Sequence, residues 1–524
     1  MNMKHNVILT LLLFFVLAFN VSQARPIVKT SVGIIEGRET ISSEQFLGIP
    51  YAKLPKGKLR YAPPEKIEPF ANVYRADRFC KISYQNVSDT VIQRYGMGDE
   101  SLCLNIYRPK NIRSSDKLPV LFWIHGGAYV QGSSATSVYS TDSFVENGVI
   151  VVTLNYRLQF QGYMSTVQTY SQYETTGNFG HLDILEALKW INHNIDSFGG
   201  DPSNITIAGH SAGAMAASAL VISPLAKGLF KRAFLQSGTI LNYPFSDFTY
   251  KSSKKRAFSQ TQKVLNTFGI GDNYDGLNTL REIEPMLLSY CTPYDFSFQS
   301  GKTSYINPLF DGYFLPKEPY LSLRRGIFSN IELMLGYVSD EGTLFSDKDI
   351  NDNNFITGIK SNFGENKYQD IYDLYSEIMP NNTYVKLSTL NSDMMFTLGM
   401  KIFADNISKS AKVYMYHYAF AEKEDLSYGF GVYHGIDLPS VFNSYDSPSE
   451  NQKKISSIFH KKLVNFIKTG DPNKEETKTY PIDWPLYTRK SPNVFRFDKI
   501  SGIEELKIKD RLEKLEKIIY DGEL

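Results

Sequence analysis

The stretch "NITIAGHSAGAMAAS", residues 204–218, passes from branched apolar residues into small ones and places Ser211 two residues from a glycine on either side, Gly209 and Gly213. Ile205, Thr206 and Ile207 favour a strand, and the alanine-rich run after Ser211 favours a helix. A strand, a pinch and a helix make a nucleophile elbow, in which the glycines relieve crowding inside a tight turn. Such a turn holds a hydroxyl proud of a sheet, at a helix N-terminus whose free N–H groups favour developing negative charge.

Outward from this segment, further strand-like runs are scattered along the chain: "LPVLFWIHGG" (118–127), "GVIVVTLNYRL" (148–158), "KRAFLQSG" (231–238), "IELMLGY" (331–337) and "KVYMYHYAF" (412–420). Most are continuously apolar, as strands covered on both faces are, which implies a mainly parallel sheet flanked by helices. Between two of them, "DILEALKWINHNIDSF" sets Ile184, Leu188, Ile191, Ile195 and Phe198 on one helical stripe, predicted to begin behind Asp183. This alternation is α/β architecture. The stretches 243–328 and 345–410 lack strong strand runs and read as helical insertions over one end of the sheet. Ile508, Leu512, Leu515 and Ile519 predict a C-terminal amphipathic helix. No Gly/Ser-rich or Pro-rich linker divides the chain, so residues 25–524 read as one domain.

With 524 residues, 42% of them hydrophobic, the chain has ample material for a large core, so disorder is excluded. Lys plus Arg (56) balance Asp plus Glu (55), and nothing in the net charge of +1 would drive binding to nucleic acid or an acidic membrane. A small or neutral partner is expected.

At the N-terminus, Lys4, an apolar run from Val7 to Phe19, and small residues at Ser22 and Ala24 read as a secretory signal cleaved after about Ala24. The run is shorter than the roughly 20 residues that span a bilayer. Secretion makes the acceptor triplets at Asn86, Asn204, Asn381 and Asn406 usable for glycans, although Asn204 adjoins the pinched strand. Three cysteines, Cys80, Cys103 and Cys291, imply one disulfide and one leftover thiol. The terminal "DGEL" is a weak match to an ER-retention tail, so secretion is preferred.

Acyl transfer at Ser211 would need donors aimed at an oxyanion, and the glycines of "WIHGGAY" (123–129), after a strong strand, let backbone N–H groups approach a substrate. It also needs a general base oriented by an acid, in the chain order Ser, acid, His. That order leaves His417, His434 and His460. His417 lies within an apolar strand and reads as a core residue, whereas His460 is helical beside two lysines and reads as surface. His434, in "GFGVYHGIDLPSVF", lies in a glycine-flanked loop after the last long strand, where a base belongs. "LMLGYVSDEGTLF" supplies both Asp340 and Glu341 as acids, and spacing does not choose between them.

Together with "FLGIPYAKLPKGKLRYAPP" (46–64), "NYRL" (155–158), "KTGDPN" (468–473) and "DWPLYT" (483–488), these motifs resemble the type-B carboxylesterase/cholinesterase family of α/β-hydrolases over nearly the whole mature chain. The resemblance implies Ser211 as nucleophile, Glu341 as acid, His434 as base, and the N–H groups of Gly127, Ala128 and Ala212 as oxyanion donors. It implies no cofactor, and no Cys/His cluster has the spacing of metal ligands, so no metal is expected. The family's first disulfide would fall at Ser83 and Ser101, three and two residues from Cys80 and Cys103, so it also implies a shifted Cys80–Cys103 bridge and a free Cys291.

Cholinesterases carry a Trp before that second cysteine to stack on the cation, but "TVIQRYGMGDESL" (90–102) has none, and His210 replaces an acidic residue before the nucleophile. These departures imply a secreted general carboxylesterase acting on a small-molecule ester. The alternatives are a lipase working on long-chain esters and a silent structural or adhesion relative.

Overall fold

The computed structural model describes residues 25–241, 250–271, 273–291, 308–474 and 482–520. In chain order its strands are β1 (Ile27–Thr30), β2 (Gly33–Glu36), β3 (Arg38–Glu39), β4 (Glu44–Pro50), β5 (Tyr74–Arg75), β6 (Cys103–Arg108), β7 (Leu118–Ile124), β8 (Ile150–Leu154), β9 (Gly200–His210), β10 (Arg232–Gln236), β11 (Glu332–Val338), β12 (Val413–Tyr418), β13 (Asn493–Phe497) and β14 (Gly502–Glu505). Among the described residues, β1, β2 and β5 form a small sheet, and the others form one sheet of eleven strands in the order β14-β13-β12-β11-β10-β9-β7-β8-β6-β4-β3.

The six apolar runs are β7 to β12, and they lie side by side as a parallel block. Every residue of β8 and β10 is buried, the state that continuous apolar runs report. The sheet becomes mixed at both ends, where β6, β4, β3 and β14 run antiparallel to their neighbours. Those strands are short or interrupted by polar residues and glycine, so their periodicity is weak. Because the central strands are parallel, their C-terminal ends share one edge, and the loops that follow them converge there.

Phe179–Asn194 forms the helix between β8 and β9, followed by a 3₁₀ turn at Ile195–Phe198. It starts four residues before Asp183, which is not a cap. Asp183 is completely buried and bound to Arg157: the guanidinium donates at 2.7 and 2.6 Å and the Arg157 backbone N–H at 3.0 Å. The insertions are helical, including Tyr250–Thr267, Tyr274–Glu282, Asp352–Phe363 and Tyr368–Ser376, but the last helix of the second, Leu398–Ile407, packs against β11 and β12 instead of standing off the sheet. Lys509–Tyr520 closes the fold with Leu512, Leu515 and Ile519 buried. No helix among the described residues is long and apolar enough to cross a membrane. The signal segment and the terminal DGEL lie outside the described residues.

Cys80 and Cys103 are disulfide-bonded with Cα atoms 6.5 Å apart, and Cys291 is free. The four glycan candidates differ in exposure. Asn406 is buried, its amide donating to the Ile402 carbonyl at 2.8 Å, and Asn204 is half-buried, bound by Arg232 and donating to the Lys468 carbonyl. Asn86 and Asn381 are exposed.

Several histidines are buried without an anion beside them. His181 lies among Tyr129, Tyr163 and Phe314, and burial pushes it down to about 3. A histidine depressed in the folded state contributes stability that is complete above its unfolded pKa of about 6.5 and is lost as pH falls from there toward the folded value. His181→Phe should therefore flatten the urea-unfolding free energy between pH 6.5 and 4, by up to about 1.4 kcal/mol per pH unit relative to wild type. An unchanged slope would mean that His181 is not neutral in the fold.

Candidate active site

Strand β9 runs to His210, and the helix Ala212–Ile222 starts on the far side of Ser211. Ser211 itself has φ 56° and ψ −127°, a conformation few non-glycine residues adopt. Two contacts hold it there. Its N–H donates to the Gln236 carbonyl at 2.9 Å, and the helix presses so tightly on β7 that a Cβ at Gly213 would lie 2.1 Å from the Ile124 carbonyl oxygen. The small residues of the motif thus let helix and sheet meet where the hydroxyl projects.

The loop after β7 passes beside this turn. Gly127 has φ 109°, and a Cβ there would strike the Gln131 carbonyl, so the backbone can take this path only without a side chain. Ala128 and Tyr129 also have positive φ, at 55° and 61°. The loop is braced from three sides: Tyr156 donates to the His125 carbonyl at 3.0 Å, the Gln159 N–H donates to the Tyr129 carbonyl at 2.7 Å, and the Gln85 amide pairs with both backbone groups of Gly132. Gly127 and Ala128 line the same cavity as Ser211. Ala212 is the first residue of its helix, where an N–H has no intrahelical acceptor.

The loop after β11 delivers the acid. Glu341 is completely buried and lies 2.5 Å from His434 Nδ1 through Oε2, while its Oε1 accepts from the Val338 N–H at 2.9 Å. Asp340 turns the other way, accepting from the Val432 N–H at 2.8 Å. Burial pushes the Glu341 carboxyl up, opposed by Ser237 and the Val338 N–H, and pushes the His434 imidazole down. The lowered imidazole is neutral at neutral pH, and with its Nδ1–H donated to Glu341 the Nε2 is left to accept a proton. That Nε2 has no partner among the described residues, and its ring packs on Phe396, Phe345 and His210.

The other two candidate histidines lie apart from this constellation. His417 is only partly buried on β12, between the Ser339 hydroxyl at 2.8 Å and Glu504 at 2.6 Å. His460, expected at the surface, is buried, because its helix turns it inward to the Val441 carbonyl and the Ser143 hydroxyl. Ser211, His434, His210, Gly127 and Ala128 open on a cavity of about 610 Å³ covered by the helix Asp89–Tyr95. Gln85 braces the site without any local signature that would have singled it out, whereas Tyr156 lies within the NYRL run. Among the described residues, no group of three or more His, Cys, Asp or Glu is placed to hold a metal.

Residues 24–515 match the Carboxylesterase family. The para-nitrobenzyl esterase of Bacillus subtilis (strain 168) is 30% identical over 507 residues, covering 93% of this chain and 98% of its own. Carboxylesterase 1C of Rattus norvegicus is 30% identical over 508 residues, covering 89% of this chain and 88% of its own. Among solved structures, a PNB esterase superposes with a TM-score of 0.81 at 28% identity, covering 94% of this chain and all of the other. A carboxylesterase of Geobacillus stearothermophilus does so at 0.80 and 29% identity, with coverages of 94% and 100%. The fold, the full-length match and the relatives agree: this chain belongs to the carboxylesterase family of α/β-hydrolases and is a carboxylic ester hydrolase.

Proposed function

We propose that the protein is an exported general carboxylesterase that works through an acyl-enzyme on Ser211. The observation that carries this reading is the 2.5 Å contact between Glu341 and His434, whose free Nε2 opens on the same cavity as the strained Ser211. His434 takes the Ser211 proton as the hydroxyl oxygen bonds to the ester carbonyl carbon. The resulting oxyanion is received by the N–H groups of Gly127, Ala128 and Ala212. The carbonyl re-forms, the C–O bond to the alcohol breaks, and His434 returns the proton to the departing alkoxide. Water then repeats the sequence, releasing the acid and restoring the serine. Glu341 keeps the imidazole in one orientation and stabilises its cationic form. Export is supported by the signal-like residues 1–24 and by the Cys80–Cys103 bridge, a bond that persists in oxidising compartments.

A fluorophosphonate probe tests the reading. The probe should label Ser211, as mapped by mass spectrometry, and His434→Ala should abolish labelling while leaving the circular dichroism spectrum unchanged. Folded wild-type protein that resists the probe would overturn the proposal.

A further inference from the structure

The charges lining the substrate cavity are unevenly chosen. Among the described residues none of its walls carries an Asp, Glu or Lys, and Glu341 is sealed behind His434. Among the described residues one permanent charge borders the cavity, that of Arg94 on the covering helix Asp89–Tyr95, a residue exposed to solvent at the cavity's rim. It has no carboxylate partner among the described residues, and its contact is with the ring of Tyr95, 5.3 Å away. Next to the nucleophile in the chain stands His210, which also lines the cavity and whose buried Nε2 has no partner among the described residues; burial pushes its imidazole well down. The rest of the wall includes Val87, Thr90, Val91 and Phe345.

A cavity whose described walls carry a cation and no anion repels cationic groups and attracts anionic ones, an effect that solvent and salt weaken at an exposed side chain. A guanidinium also offers a planar fork that fits a carboxylate with two hydrogen bonds. We infer that Arg94 selects esters bearing an anion remote from the scissile carbonyl, such as monoesters of dicarboxylic acids or aryl esters with an acid group. The apolar stretch beside it takes the intervening carbon chain. This inference rests on the esterase reading and narrows its substrate class.

The test is a charge series on a common ester. Butyrates of 4-hydroxybenzoate, its carboxamide and the 4-trimethylammonium phenol differ at one position, and the p-nitrophenyl monoester of adipic acid and its terminal amide probe the acyl side. The carboxylate is the poorest leaving group of the three phenols, so a preference for it cannot come from reactivity. In at least one series kcat/KM for the anion should exceed that of the neutral amide by about tenfold, mostly through KM, and the margin should shrink as salt rises. Arg94→Gln should bring the ratio close to one, and Arg94→Lys should retain part of it. Equal turnover of anion and amide in both series, with the neutral ester hydrolysed normally, overturns the inference and leaves the esterase reading standing. Failure of every ester together with failure of the probe to label Ser211 overturns both.

Discussion

Ser211→Ala is expected to lower kcat by about 10⁶-fold, to the level where activity is indistinguishable from background. The loss is this large because the hydroxyl is the atom that bonds to substrate, and His434 and Glu341 have nothing to activate once it is gone. The fold should tolerate the change: Ser211 makes its positional contacts through its backbone, to the Gln236 carbonyl and from the Met215 N–H, and alanine keeps both. Its positive φ is held by the packing of Gly213 against Ile124, which the substitution does not touch. The measurement is turnover of a chromogenic ester beside a thermal melt. An unchanged melting temperature with no turnover is the expected pair, whereas residual activity within about a hundredfold of wild type would assign the chemistry to another group.

The largest expected loss of stability comes from Arg157→Met. Arg157 is nearly fully buried and makes four hydrogen bonds: three to Asp183, counting its backbone N–H, and one from Nη1 to the Ala62 carbonyl at 2.8 Å. Burial pushes the Asp183 carboxyl up, and Arg157 is what opposes that shift. Methionine fills most of the volume but leaves Asp183 buried without a counter-charge, which costs about 3–5 kcal/mol. That is a large share of the roughly 5–15 kcal/mol that holds a folded domain together. Adding Asp183→Leu should recover much of the loss, because a well-packed apolar pair can replace a buried ion pair at little net cost. Urea unfolding of both single variants and the double variant measures the coupling. Additive losses would show that the pair is not acting as a unit.

How much was legible in the sequence follows from how local each signal is. The elbow could be read because its two glycines, its branched strand and its alanine helix are adjacent in the chain, and steric crowding acts over that same short distance. The six central strands could be read because both of their faces are buried, which demands an unbroken apolar run. The edge strands could not, since β3 is two residues long and β4 is interrupted by Gly48. His434 was found by its loop and its place in chain order, whereas His460 was misassigned because two flanking lysines look like a surface, and only the packing of its helix shows which side turns inward. The same blindness applied to Asp183, whose position before an apolar stripe resembles a cap until Arg157 is placed beside it. Asn406 satisfies the glycan triplet yet is buried by the helix that carries it.

The α/β architecture, the serine elbow, the glycine loop beside it and the family are all legible along the chain, since each is written in contiguous residues whose conformational preferences act locally. Packing alone shows which of two adjacent carboxylates faces the imidazole, which histidines are buried, and that Arg94 is the one permanent charge bordering the cavity among the described residues. Those choices depend on side chains 93 residues apart, as Glu341 and His434 are, meeting at one edge of a parallel sheet. No pattern along the chain encodes that contact, because the directions in which the two loops turn are set by what each packs against.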